Sequence, residues 1–382
     1  MRRVTDMAVA GLIFSNIHDS TIPELTSIRT MASVPFGCRY RLIDFSLSNM
    51  VNSGITKIGI IAHNNYQSLL DHIGTGKDWD LARRSGGIKI LPPFITTYNG
   101  VGEAGLYNTR LEALMGVTGF IDRCNEDILV LSDCDGICNI DLSEVIDEHI
   151  ANNADITIVT RKLSPEEKDI SGMTSITSKR DGSVTDASAY VDGLSTDIVS
   201  TNIIVANRTF LLGAIREAAA HGYRHFFKDI VARRIGRARI FSYMYEKTYI
   251  HISSLESYFA SSMKLLDPAV RKGLFNVPGM PIYTKLRNSA PTRYAEGAEV
   301  VNSYVADGCV IEGTVENCIL FRGVHIGKGT VVKNCVLMQD TFTGNNVTLN
   351  CVITDKNAVI CDGRVLSGHS TMPFFIPKGA MV

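Results

Sequence analysis

Phosphate chemistry is the first possibility the chain raises, and it arises at the loop after the opening apolar run. Residues 7–14, MAVAGLIF, read as a first buried strand. In many α/β proteins the loop after such a strand is rich in glycine, so that backbone N–H groups can close around a phosphate. Here the loop is SNIHDSTIPELTSIRT (15–30), with no glycine between Gly11 and Gly37 and with Arg29 as its only Lys or Arg. Other chemistry-bearing residues are scattered. The nine cysteines form no Cys/His set with structural-zinc spacing, Cys134 and Cys138 being separated by three residues. Nothing near Cys134 or Cys138 would lower a thiol pKa, and reduced cytoplasmic thiols are the expectation. His63 and His72 have no carboxylate or Cys companion at ligand spacing, which favours core or surface roles. Asp44 is expected to hydrogen-bond local backbone, and Trp79 to anchor packing at the sheet edge.

The elements that must position these residues fall into two regions. From residue 8 to about 267, short apolar runs such as KIGIIAH (57–63), GIKILPP (87–93), DILVLSD (127–133) and DITIVTR (155–161) alternate with amphipathic stretches. The stretches at 66–74 and 106–122 are helix-like, with further helices expected over 209–220, 227–236 and 254–266. Alternation of this kind predicts an α/β fold with a mostly parallel sheet and helices on both faces. After the connector NVPGMPIY (276–283) the pattern changes. NCIL (317–320), NCVL (334–337) and NCVI (350–353) echo one another, NSYV (302–305) precedes them, and VHIGKGTVV (324–332) has hexapeptide spacing. The period predicts a C-terminal left-handed parallel β-helix, with Cys318, Cys335 and Cys351 as an inward ladder. The expected division is an α/β domain over 1–270, a linker over 271–294 and the β-helix over 295–382. A net charge of −1 and pI near 6.8 give no basic excess for nucleic acid, and no apolar run is long enough to span a bilayer. The amino-terminal run reads as strand rather than signal peptide.

Two blocks carry a family resemblance over nearly the whole chain. LTSIRTMASVPFGCRYRLIDFSLSNMVNSGITKIGI (25–60) resembles the N-terminal block of ADP-glucose pyrophosphorylases (glucose-1-phosphate adenylyltransferases), and ADGCVIEGTVENCILFRGVHIGKGTVVKNCVLMQ (306–339) resembles their β-helix. Among them the chain is most similar to GlgD-type subunits, companions of a catalytic subunit. The resemblance implies a nucleotidyltransferase-like sheet domain over 1–270 ahead of the β-helix, and what it implies for function lies in the departures. Active members have a Gly-rich loop after strand one; here side chains at Leu12, Ile13 and Phe14 would block backbone approach to phosphate. Met31 stands where a phosphate-facing lysine is expected, and Ala189 and Tyr190 replace the acid and lysine that hold the glucose phosphate. The nucleotide segment aligns only loosely, with VGEAGL (101–106). Asp135, six residues before Asp141, matches the first metal-binding aspartate, with Asp133 as a nearby alternative; His251 replaces the second. An imidazole is a poor substitute for anionic oxygen at Mg²⁺.

The implied function is an impaired subunit of a glycogen-synthesis adenylyltransferase that retunes its catalytic partner, in a heterotetramer in the cytoplasm. No cofactor is expected to bind firmly, with Mg²⁺ involved only where residual activity exists. Arg29 and Arg41 match basic positions that in the family help bind anionic effectors, here a sugar phosphate or nucleotide; surface ion pairs are the plainer alternative. A rival reading is an active enzyme making ADP-glucose and pyrophosphate from ATP and glucose 1-phosphate. A third treats the β-helix as an acyltransferase with His325 or His369 as base, which binding of acetyl-CoA would reveal.

Overall fold

The computed structural model describes residues 8–83, 86–92, 107–164, 167, 172–192 and 195–382. The VGEAGL stretch lies outside them. The apolar runs become β1 (Val9–Phe14), β2 (Lys57–Ile61), β3 (Gly87–Leu91), β4 (Ile128–Asp133) and β6 (Ile156–Lys162); between the last two, β5 (Gly136–Cys138) stands apart from the main sheet. The chain continues through β7 (Thr174–Ser178), β8 (Val184–Ala189), β9 (Ile198–Asn207), β10 (Ile240–Met244) and β11 (Tyr249–His251).

The main sheet runs in the order β8-β7-β9-β4-β1-β2-β3, with β6 pairing β9 and β10. Its β4-β1-β2-β3 core is parallel, as expected of strands buried on both faces. The β9 strand enters antiparallel to both β4 and β6, and the β7–β8 hairpin is antiparallel too. Ala10, Leu12 and Phe14 face one apolar layer, with the helices Arg110–Gly116 and Arg208–His221. Ile13 faces the other, with the helices Leu42–Asn52 and Leu255–Lys264. Residues 12–14 are therefore strand, and not the loop that replaces a cradle; that loop begins at Ser15. The stretch read as helix over 227–236 is a π-helical turn, Phe226–Ala232.

The last helix before the connector is Pro268–Phe275, and the first β-helix strand is Arg293–Tyr294. Three parallel five-stranded sheets then form the left-handed β-helix. One register column runs Tyr304, Ile319, Val336, Ile353, Phe375, in successive steps of 15, 17, 17 and 22 residues. Strand alternation splits this wall: Cys318, Leu320, Cys335, Leu337 and Val352 fill the coil interior, whereas Ile319, Val336 and Ile353 pack on the α/β domain. Asn302, Asn317 and Asn334 occupy successive corners in the left-handed region, which asparagine tolerates. At the next corner that place is taken by Cys351, φ 51°. The inward ladder is therefore Cys318, Cys335, Val352: the third echo slips by one residue, and Cys351 turns the corner instead of filling the interior.

The two units share an apolar layer that includes Phe36, Phe45 and Tyr258 from one and Ile319, Phe321, Val336 and Ile353 from the other. Within it, Arg29 Nη2 donates to both oxygens of Asp355 at 2.9 and 2.7 Å. Both side chains are almost wholly buried. All nine cysteines are free thiols, and burial raises those of Cys134 and Cys138. No helix among the described residues is long and apolar enough to cross a membrane.

Candidate functional site

The C-terminal edge of the parallel strands is where an open α/β sheet places its ligands. There β4 ends at Asp133, and Asp135 follows in the turn to β5. Pairing of β11 with β5 sets His251 opposite Gly136, so His251 arrives beside Asp135 although 116 residues separate them. The approach depends on glycine: a Cβ on Gly136 would lie 2.1 Å from the Tyr249 hydroxyl oxygen. His251 Nε2 is 3.2 Å from Asp135 Oδ2.

The loop after β1 closes the other side. It is held by side chains instead of glycine amides: Asn16 Nδ2 donates to Asp19 Oδ2, and Asp19 Oδ1 accepts from the Met31 N–H at 2.6 Å. Burial pushes the Asp19 carboxyl up to about 6, against those two hydrogen bonds. This loop delivers His18, whose Nε2 lies 2.7 Å from Asp133 Oδ2 and 3.3 Å from Asp135 Oδ2. Asp133 is also clamped by Arg110, through Nη2 and through Nε at 3.2 Å. Burial works to lower the His18 pKa, but the Asp135 charge and the Asp133 hydrogen bond outweigh it and hold the imidazole up at about 9. Burial opposes ionisation of Asp135, yet His18 and His251 bring its carboxyl well below the usual range. Asp135 Oδ1, buried, has no hydrogen-bond partner among the described residues.

This donor set does not fit Mg²⁺. That ion prefers an octahedral shell of oxygens. Here one carboxylate is engaged by a guanidinium, and imidazoles stand on both sides of the other. Beside the cluster is a cavity of about 130 Å³ lined by His18, Asp135, Arg161, Tyr249 and His251 among others. A larger cleft of about 800 Å³ shares His18 with it and reaches Ala189.

The other sequence candidates lie elsewhere. Met31 is in a short 3₁₀ turn with its side chain in the core, 1 % exposed. Ala189 closes β8 on the wall of the large cleft, and Tyr190 follows it with its N–H donated to the Met173 carbonyl. Asp141 caps the helix Leu142–Ala151 through the Ser143 N–H and takes no part in the cluster. Asp44 accepts from the Arg41 N–H as expected, and also binds His72 Nε2 at 2.6 Å, a companion the sequence reading denied that histidine. His325 stacks on Phe342 outside the coil.

Arg29 is committed to Asp355, whereas Arg41 lines a basic recess between the two units with Arg39, Lys285, Arg287, Arg322 and Lys356. Arg41 Nη1 donates to the Ser68 carbonyl and hydroxyl. Burial, with Arg29 and Arg287 repelling it, lowers Arg41 to about 10 despite Asp44 and Asp71. Burial and the charges of Arg41, Arg29 and Arg287 bring Lys356 down to about 7, against Asp355. His18, Arg110 and Lys356 were missed by sequence reasoning. The one available signal was the run of polar side chains, Asn16, His18 and Asp19, where a glycine cradle was expected.

A nucleotidyltransferase-type sheet with carboxylates at its strand ends, packed on a hexapeptide β-helix, defines the class. The nucleotidyl transferase family profile matches residues 22–176 and the GlmU-like C-terminal hexapeptide profile matches residues 289–370. The glycogen biosynthesis protein GlgD of Bacillus subtilis is 33% identical over 371 residues, covering 97% of this chain and 95% of its own. GlgD of Geobacillus stearothermophilus is 34% identical, over 97% of this chain and 96% of its own. The glucose-1-phosphate adenylyltransferase of Fervidobacterium nodosum is 30% identical over 94% and 86%. The chain therefore belongs to the glucose-1-phosphate adenylyltransferase (ADP-glucose pyrophosphorylase) family, as a GlgD-like member.

Proposed function

We propose that this chain is a regulatory subunit of glycogen synthesis, impaired in adenylyl transfer, which assembles with a catalytic glucose-1-phosphate adenylyltransferase subunit and retunes it. The observation that carries the reading is the fate of the two strand-end carboxylates. Asp133 is neutralised by Arg110 and His18, and Asp135 is flanked by His18 and His251. Charges that would face a transferring phosphoryl group are thus spent on internal partners, and no glycine amides stand ready to replace them. The test is to assay ADP-glucose formation by this chain alone, by the catalytic partner alone and by the co-expressed pair. Near-zero, moderate and altered activity are expected in that order; robust synthesis by the isolated chain overturns the reading.

The basic recess supports a regulatory role, because an anionic sugar phosphate or nucleotide could bind there between the two units. Arg41 and Lys356 would face the anion, and Arg29 would position Asp355 behind them. A shift in partner activity requires the anion to bind two states of the assembly unequally. Lys356 gives a pH signature. Arg29, Arg41, Arg287 and Asp355 act on it, and the facing His72, lowered by burial, carries little charge near neutrality. An anion favours the charged lysine, so affinity is greatest below about 7 and falls as pH rises through that value. Sulfate is the suitable probe because its own charge does not change in this range. Its calorimetric affinity should fall about three- to tenfold between pH 6 and 8, and Arg41→Ala should weaken it about tenfold or more. A flat pH profile would remove Lys356 from the site.

A further inference from the structure

We propose that Lys356 is a carbon dioxide-binding residue, whose side-chain amine takes up CO₂ as a carbamate held by the arginines of the basic recess. The lysine follows the β-helix strand Val352–Thr354 by two residues. Its backbone is fixed on both sides: the N–H donates to Asp355 Oδ1 at 2.7 Å, and the carbonyl accepts from the Gly379 N–H at 2.9 Å. The side chain joins Arg39, Arg41, Lys285, Arg287 and Arg322 in lining the recess. Asp355, the carboxylate beside it, spends both oxygens on Arg29. An ammonium group is unfavourable among so many cations. Burial and the charges of Arg41, Arg29 and Arg287 accordingly bring the lysine down to about 7, against Asp355, so that much of it is free amine at neutral pH.

Free amine is the form that attacks a carbonyl carbon. The nitrogen lone pair forms the N–C bond to CO₂, one C=O electron pair moves onto oxygen, and an N–H proton leaves to solvent. The products are the carbamate, R–NH–COO⁻, and H⁺; nothing is oxidised or reduced. The step exchanges a repelled cation for an anion, so the arginines that oppose the ammonium stabilise the product. A carbamate is planar with two acceptor oxygens, the shape that a guanidinium fork grips through paired hydrogen bonds. Donor capacity is in place, because Arg29 Nη1 is buried with no hydrogen-bond partner among the described residues. Size selects the reagent. The recess encloses about 30 Å³, room for a carboxylate-sized addition and not for a bulky acyl group. Lys285 is the contrast in the same recess, its nitrogen engaged by the Asp71 carbonyl. The carbamate does not rest on the regulatory reading, although by reversing the charge at Lys356 it would set the recess against anions.

The experiment equilibrates the full chain with ¹³C-labelled bicarbonate at about pH 8, above the value of about 7 for the lysine. Triethyloxonium ion then traps carbamates as ethyl esters, and tandem mass spectrometry locates them. A labelled ethyl carbamate is expected on Lys356 and not on Lys285. Its yield should exceed that at exposed lysines by at least about tenfold, since their ordinary value near 10.4 leaves little free amine. Carbon-13 magnetic resonance of the untrapped protein should show one carbamate carbonyl, which Lys356→Arg abolishes. No adduct at Lys356 in saturating bicarbonate, or a yield no greater than at exposed lysines, overturns the proposal. Bicarbonate held only as an ion leaves no adduct and overturns it equally. Sulfate separates this proposal from the recess reading. Suppression of the adduct by sulfate supports both, whereas an adduct that sulfate leaves untouched supports the carbamate and counts against anion binding there.

Discussion

Arg29→Ala is expected to destabilise the protein by about 3–5 kcal/mol, the cost of stranding the charge of a buried ion pair. Asp355 is almost fully enclosed where the α/β domain meets the β-helix, and both its oxygens accept from Arg29 Nη2. Removing the guanidinium leaves a carboxylate in an apolar layer, with the Lys356 N–H as its one remaining donor among the described residues, to Oδ1 at 2.7 Å. Urea titration followed by far-ultraviolet circular dichroism would read the loss as a lowered midpoint. The double replacement Arg29→Met with Asp355→Leu should cost much less, since it removes the charge that would be stranded. Equal losses in the single and double variants would mean that shape, not charge, holds this junction.

His251→Asp is expected to leave ADP-glucose synthesis by the isolated chain at background, although it places a second carboxylate beside Asp135. A missing electrostatic contact to the transition state costs about 10²–10³ in rate, and several are missing together. Met31 is buried in the core and offers no charge, and Arg110 and His18 remain on Asp133. The recovery expected is under about tenfold, against a deficit of at least about 10³ relative to an active enzyme. Coupled pyrophosphate release at saturating ATP, glucose 1-phosphate and Mg²⁺ is the measurement. Turnover restored to the level of an active relative by this one substitution would show that the loop and Met31 matter little.

The central strands were legible because each is a compact apolar run bounded by turn residues. The β7–β8 hairpin was not, since TSITS and VTDASA are polar, short and half exposed. The corner slip at Cys351 was invisible for a different reason. NCVI matches its predecessors letter for letter in kind, and only the strand register shows that Val352 has moved into the place of Cys335. At the site, Asp135 and His251 could be aligned from motifs, and strand pairing does bring them together. His18 and Arg110 could not, because their carboxylate partners lie 115 and 23 residues away, across the sheet edge. Arg29 and Arg41 look alike in sequence, and only burial separates an internal ion pair from a recess-lining cation.

The uneven coil steps bear on how such a chain can change length over generations. Straight segments admit no edits: one added residue there would turn every later side chain inside out. Bends are the places where letters can be gained, and the last step has used one, spending five extra residues on the exposed His369–Met372 turn without disturbing the walls. A reporter peptide grafted at that bend would hang clear of the coil, giving a handle for following the protein in a cell.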